Sequence, residues 1–290
     1  MRWRTQTRVP APDFLAAAAL ALAVLALAPA AASAVGGVPG SRHWQPPPRT
    51  AAWQWQLQGK IDPTVKAWAY DVDGFEATVG DVRGLHRLRR RAICYIDVGS
   101  WENFRPDKGE FPPSVLGNSY AGFPNERWLD VSRFQLFEKP LRQRIAMCAH
   151  KRFDAVEPDN IAGWEPENKT GFDITRADQL RFNRWIAREV HARGMAVALK
   201  NDGRQAKQLL PDFDFAIVEE CFQYDECGYY EPFIEADKAV FEAEYELQPA
   251  EFCDAAIALG FSAIRKSYDL FAQPWEPCEQ LAPSPRASLG

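Results

Sequence analysis

Phe153-Asp-Ala-Val-Glu-Pro-Asp-Asn160 passes within a few residues from an apolar entry to a tip of two carboxylates and an amide. Read as a strand, it alternates faces, so Phe153, Ala155, Glu157 and Asp159 share one side. A carboxylate at the end of a buried strand is costly to desolvate unless it is paired or used. Phe215-Ala-Ile-Val-Glu219 repeats the design and runs straight into Glu220 and Cys221. There Phe215, Ile217 and Glu219 fall on one face. Two buried strands that end in inward carboxylates describe a pair of acids at the mouth of a barrel.

Further apolar segments lie at 53–57, 67–71, 92–98, 196–200, 239–242 and 263–266. In the third of these, Ile93, Tyr95 and Asp97 share a face and Cys94 points the other way. The spacing predicts helices over 82–91, 140–151, 175–193 and 250–259. Thr175-x-x-Asp178 stands where a capping box would, Phe182, Ile186 and Val190 recur four apart, and Gly194 and Gly260 act as stops. Strand and helix in alternation imply parallel strands, and eight strands imply an α/β chain closed into a single (β/α)8 barrel over 51–282. An open doubly wound sheet is the alternative, but no Gly-rich dinucleotide loop follows the first strand. Residues 101–128 read as a long aromatic-rich loop, punctuated by Pro106, Pro112, Pro113 and Pro124, of the kind that carries function.

The start of the 290-residue chain reads as a leader rather than as fold. Arg2, Arg4 and Arg8 precede an apolar run over 14–27, and Ala32-Ser33-Ala34 offers a cleavage site: a signal peptide over 1–34. The run is short for a membrane anchor, so no stable membrane insertion is expected after cleavage. Residues 35–50 form a Gly/Pro-rich linker and 283–290 a polar tail. Without Arg2, Arg4, Arg8 and Asp13, 31 basic residues face 38 acidic ones, a balance of −7. That charge, with no basic stripe, argues against nucleic acid and weakly favours cationic ligands.

All six cysteines lie beyond the leader. An even count in an exported chain suggests disulfides. Cys221 and Cys227 bracket a short loop after a strand, Cys94 faces outward toward the helix that bears Cys148, and Cys253 and Cys278 remain. Metal ligation is the competing use, but there is no CxxC and no His accompanies a Cys or acidic cluster, so no metal is expected.

Polar residues gather where strands end. Asp71 and Asp73, Asp97 with Trp101 and Glu102, and Glu157 with Asp159 and Asn160 mark the first half. Lys200 with Asn201, Glu219 with Glu220, Glu244 with Tyr245, and Lys266 mark the second. Barrel active sites sit at those ends. Two carboxylates facing each other across a sugar are the machinery of glycoside hydrolysis, and aromatic residues near the tips (Tyr70, Trp101, Trp164, Tyr224, Tyr245) are candidates either for sugar stacking or for the core.

The run Cys94-Tyr-Ile-Asp-Val-Gly-Ser-Trp-Glu102, the 153–160 stretch, Leu199-Lys-Asn201, Val218-Glu-Glu-Cys-Phe222 and Phe241-Glu-Ala-Glu-Tyr245 together resemble glycoside hydrolase family 114, the endo-α-1,4-polygalactosaminidase-like barrels. The resemblance spans 53–266. It implies a (β/α)8 fold and retaining cleavage of α-1,4-linked galactosamine polymers, without a cofactor and by a monomer. The family's catalytic Asp follows strand four and its Glu follows strand six, which fall on Asp159 and Glu219. Asp159 is then expected as nucleophile and Glu219 as acid/base, with Glu157 and Glu220 as rivals. Substrate contacts are expected from Asp71, Asp97, Trp101, Glu157, Asn160, Lys200, Asn201, Glu220, Glu244 and Tyr245. A glycan-binding barrel without turnover and a metal-dependent phosphodiester hydrolase are the competing readings.

Overall fold

The computed structural model describes residues 52–278 together with Pro46. The chain divides into a unit from Met1 to Pro39 and a unit from Gly40 onward, and only the second contains described residues. The expected leader, most of the linker and the tail lie outside them.

Eight parallel strands form the frame: β1 (Trp53–Gln56), β2 (Ala69–Asp73), β3 (Arg91–Asp97), and, after an inserted antiparallel sheet of β4 (Ser100–Glu102), β5 (Leu116–Tyr120) and β6 (Phe123–Leu129), β7 (Ala155–Asp159), β8 (Ala196–Lys200), β9 (Phe215–Glu219), β10 (Val240–Glu244) and β11 (Ser262–Arg265). The ladder runs β1-β2-β3-β7-β8-β9-β10-β11, and a short β12 (Glu276–Pro277) pairs antiparallel with β11. Side chains join the two ends of this ladder. Trp53 Nε1 donates to Ser262 O at 2.8 Å and Lys266 Nζ to Gln54 Oε1 at 3.1 Å. The sheet is thus curled on itself as an α/β barrel.

Strand alternation sorts the core into two. Trp53, Trp55, Ile93, Ala155, Ala198, Phe215, Ile217 and Phe241 fill the interior, while Val72, Cys94, Val156, Leu199 and Val218 face the helices. Phe153 departs from the expected face and packs in the outer cluster. Its amide donates to Cys148 O, so it still belongs to the turn that ends the preceding helix, and alternation starts only at Ala155.

Helices α1 (Val79–Arg87), α2 (Glu138–His150), α3 (Arg176–His191), α4 (Gly203–Leu209), α5 (Glu231–Glu235) and α6 (Pro249–Leu259) cover the sheet. Thr175 and Asp178 form the expected capping box, and Thr78 with Asp81 forms another ahead of α1. Residues 101–128 differ from the expected loop. Tyr120 pairs with Phe123 across a two-residue turn in which Gly122 takes φ +82°, giving a hairpin that β4 completes. The inserted sheet packs close to the barrel mouth at Gly99, where an added Cβ would lie 1.7 Å from Asn160 O.

Disulfides join Cys94–Cys148, as expected from the strand face, Cys221–Cys227, as expected from the short loop between them, and the two remaining, Cys253–Cys278. The first fastens β3 to α2 across a sequence separation of 54 residues. Closing a loop of that length stabilises by about 4 kcal/mol in the chain-entropy account, with measured values of roughly 2–4. The Cys94→Ala/Cys148→Ala double variant is therefore expected to lose about 2–4 kcal/mol in urea denaturation. A loss below about 0.5 kcal/mol would sink the assignment of this bridge as a main staple.

Candidate active site

The tips of β7, β8 and β9 converge on one ammonium. Lys200, the last residue of β8, lies inside the barrel with its Nζ 3.0 Å from Asp159 Oδ1, 3.0 Å from Glu219 Oε2 and 3.2 Å from Glu157 Oε1. The same nitrogen stands 4.8 Å from the Trp55 ring centroid on the opposite side of the barrel. Burial alone would lower the Lys200 pKa, but Asp159, Glu219 and Glu157 together hold it well above the usual lysine range. The cation is permanent.

Each of the two outer carboxylates is held by further donors. Asp159 accepts from Tyr95 OH at 3.0 Å and from the Asn160 amide at 2.8 Å. Glu219 accepts from Asn201 Nδ2 at 3.1 Å and from Tyr245 OH at 2.6 Å, while its own amide donates back to Asn201 Oδ1. Burial pushes the Tyr95 and Tyr245 phenols well above their usual range, so both remain donors. The residues just past the strands, Asn160, Asn201 and Glu220, take φ of +62°, +49° and +53°. Asn tolerates this left-handed backbone, whereas Glu220 is strained there, and such strain gathers at functional sites. Glu220 is fixed by Tyr268 OH at 2.8 Å, and Tyr268 stacks on Tyr245 at 4.4 Å.

A cleft of about 680 Å³ opens over this layer. Asp159, Asn160, Lys200, Asn201, Glu219, Glu220 and Tyr245 line it, as expected from the sequence. Asp71, Asp97 and Glu157 do not: none has exposed surface, Asp71 and Glu157 because each sits two residues below its strand end and Asp97, the last residue of β3, because the chain beyond it folds over it. Asp97 instead accepts from the Gly99 and Ser100 amides, Ser100 Oγ and Asn160 Nδ2, so it orients Asn160 from beneath. Glu244 is also corrected. Phe241 and Ala243 point inward, which turns Glu242 and Glu244 outward, and Glu244 accepts from the Phe222 and Gln223 amides. Trp101 turns away and donates to Lys108 O. Of the other aromatic candidates, Tyr224 lines the cleft; Tyr70 and Trp164 are tied up with Val65 O and Asp202.

The sequence reading missed one whole wall. Tyr120, Phe123, Glu126 and Trp128 from the inserted sheet line the cleft, joined by Phe104 and Arg105. Burial raises Glu126 to about 7. Arg105 donates to Asp73 at 2.7 Å and Glu102 at 2.7 Å, and Glu102 also meets Arg144 of α2 at 3.2 Å. The Tyr120–Phe123 alternation around Gly122 was the available signal. Among the described residues, no group of three or more His, Cys, Asp or Glu is arranged to hold a metal ion.

The model of glycoside-hydrolase family GH114 matches residues 38–282. The crystal structure of Aspergillus fumigatus Ega3 in complex with galactosamine is similar at 34% identity and TM-score 0.74, over 79% of this chain and 95% of that one. The chain belongs to family GH114. It is a glycosidase. The glycoside hydrolase domain of PelA from Pseudomonas aeruginosa superposes with TM-score 0.57 at 14% identity, over 77% of this chain and 96% of that one, a likeness of fold. No curated protein sequence matches. In a glycosidase the Asp159–Lys200–Glu219 layer supplies two carboxylates on one open face with a fixed cation between them, an arrangement able to attack and to protonate a glycoside in one cleft.

Proposed function

We propose that this GH114 member is a secreted, endo-acting hydrolase of α-1,4-linked galactosamine or N-acetylgalactosamine polymers that retains anomeric configuration. The observation that carries the reading is the pair Asp159 and Glu219. The oxygens that face Lys200 each lie 3.0 Å from its nitrogen, so those two oxygens are at most about 6 Å apart, which favours the close carboxyl pair of a retaining enzyme. Asp159 attacks the anomeric carbon as Glu219 gives its proton to the departing glycosidic oxygen. Water then attacks the glycosyl–Asp159 ester as Glu219 takes a proton from it, which frees Asp159 and restores the acid.

Cationic sugar units suit the walls. Glu126, Glu165, Glu220, Glu226 and Asp269 line the cleft against Arg105 and Arg204, so the field there favours an ammonium. Ega3 was crystallised with galactosamine, which supports the same sugar here. Three disulfides support an oxidising compartment. The chain acts as a monomer and without a cofactor in this reading.

The test is product release from purified α-1,4-galactosaminogalactan, acetylated and deacetylated, with the anomer of the fresh reducing end read by NMR. Oligosaccharides of mixed length bearing the α-anomer are expected, with the deacetylated polymer preferred. Binding of either polymer without products would instead mark a glycan-binding barrel. β-Anomer products would overturn retention.

A further inference from the structure

Below the catalytic layer lies a second carboxyl pair that the two-step chemistry does not use. Asp71 of β2 and Glu157 of β7 both point into the barrel, and neither exposes any surface. None of their four side-chain oxygens accepts a hydrogen bond from an N–H or O–H donor among the described residues. What they meet is each other, carboxyl against carboxyl, and Lys200, whose Nζ lies 3.2 Å from Glu157 Oε1 as an ion pair without hydrogen-bond alignment. Two ionised carboxylates in contact and cut off from bulk solvent repel each other strongly, whereas one shared proton turns the contact into a charge-assisted O–H···O bond.

The surroundings decide where that proton sits. Trp55 closes the far side of the site, and β3 presents Tyr95, already committed to Asp159. Asp159, Lys200 and Glu219 complete the charged set, with Tyr245 committed to Glu219. Glu157 has the ammonium beside it and Asp71 does not, so the anion belongs on Glu157 and the proton on Asp71. The titration directions agree: burial drives Asp71 well above the carboxylate range and raises Glu157 only to about 7, with Lys200 pulling it back.

We propose that Asp71 keeps a proton it donates to Glu157, and that this singly charged pair is a positioning element that fixes Lys200 from below and sets the protonation of Glu219. Above about pH 7, where Glu157 is ionised, Lys200 faces two reacting carboxylates above and one anion beneath. The anion weakens the grip of the ammonium on Glu219, which lets Glu219 carry the proton that the first step needs. The inference rests on the catalytic roles proposed above.

Three proteins test it: wild type, Asp71→Asn and Glu157→Gln. The Asn amide still donates to Glu157, so the kcat/KM–pH profile of Asp71→Asn is expected within about 0.3 pH units of wild type. Glu157→Gln removes the anion, leaves Lys200 unopposed, and is expected to move the basic limb toward acid by about one unit. Equal shifts in both variants, or none in Glu157→Gln, would overturn the assignment. A readout that needs no substrate keeps the two readings apart. The infrared difference between wild type and Asp71→Asn at neutral pH should show one protonated carboxyl lost. If that band is absent, the dyad is wrong whatever the enzyme cleaves; if it is present while no polymer is cleaved, the substrate reading has failed and the shared proton stands. The infrared arm also serves if Glu157→Gln does not fold.

Discussion

Glu219→Gln is expected to lower kcat on the galactosamine polymer by about 10²–10⁴-fold, the usual weight of general acid–base catalysis, with the fold intact. Glu219 is partly open to the cleft, with 28% of its side chain exposed, and Gln keeps the shape that meets Asn201 and Tyr245. The loss should depend on the leaving group. An aryl glycoside that departs without a proton should need no acid in the first step, while the second still lacks its base, so glycosyl–enzyme accumulates on Asp159 and mass spectrometry finds it. Asp159→Asn should be at least as damaged on both substrates and should trap nothing. The reverse pattern, trapping in Asp159→Asn and none in Glu219→Gln, would exchange the two roles. Because Lys200 lies 3.0 Å from both carboxylates, the cation itself does not distinguish them, and the leaving-group test does.

What could be read in the sequence, and what could not, follows from the range of the interactions. The barrel was legible because alternation within a strand and capping within a helix are local. Ile93 and Cys94 fall on opposite faces as read, and Thr175 meets Asp178 three residues on. The Cys94–Cys148 bridge followed from those faces. Asp159 and Glu219 could be chosen because inward position and strand end coincide in both. Depth was not legible. Asp71 and Glu157 share the inward face but lie below the cleft, and only the closed barrel shows which carboxylates water reaches. Its place at a strand end marks Glu244 as a cleft residue, whereas alternation puts Ala239, Phe241 and Ala243 inside and so turns Glu244 outward. The inserted sheet was hidden by its own Pro and Gly residues, which mark turns inside it rather than its absence. The arginine network left no local trace: Arg105 reaches Asp73 across 32 positions and Arg144 reaches Asp107 across 37.

That network gives the largest expected effect on stability. Arg144 exposes 1% of its side chain and holds Asp107 with two bonds, Nε at 2.7 Å and Nη2 at 2.9 Å. Its Nη1 donates to Asp97 O at 2.6 Å and stands 3.2 Å from Glu102. Arg144→Met keeps much of the volume but leaves Glu102 and Asp107 short of a partner. Removing one member of a buried ion network costs about 3–5 kcal/mol, because the charges left behind stay desolvated. For a domain of this size that is a fall in Tm of roughly 10 °C, at about 2–4 °C per kcal/mol. Arg144→Lys should recover only part of it, since an ammonium cannot make the paired contact with Asp107 and reach Glu102 as well. Added salt should not mimic the substitution, as it would for a surface pair. The damage should also reach the site by a short route. Arg144 holds Asp97 O, Asp97 accepts from Asn160 Nδ2, and the Asn160 amide donates to Asp159. Glu102 lies in the β4 strand that carries the Tyr120–Trp128 wall. A folded Arg144→Met protein is therefore expected to show a raised KM at low temperature, before any loss of fold. A Tm within about 2 °C of wild type, a change worth no more than about 1 kcal/mol, would mean that the network is dispensable and that the wall is held by its apolar contacts alone.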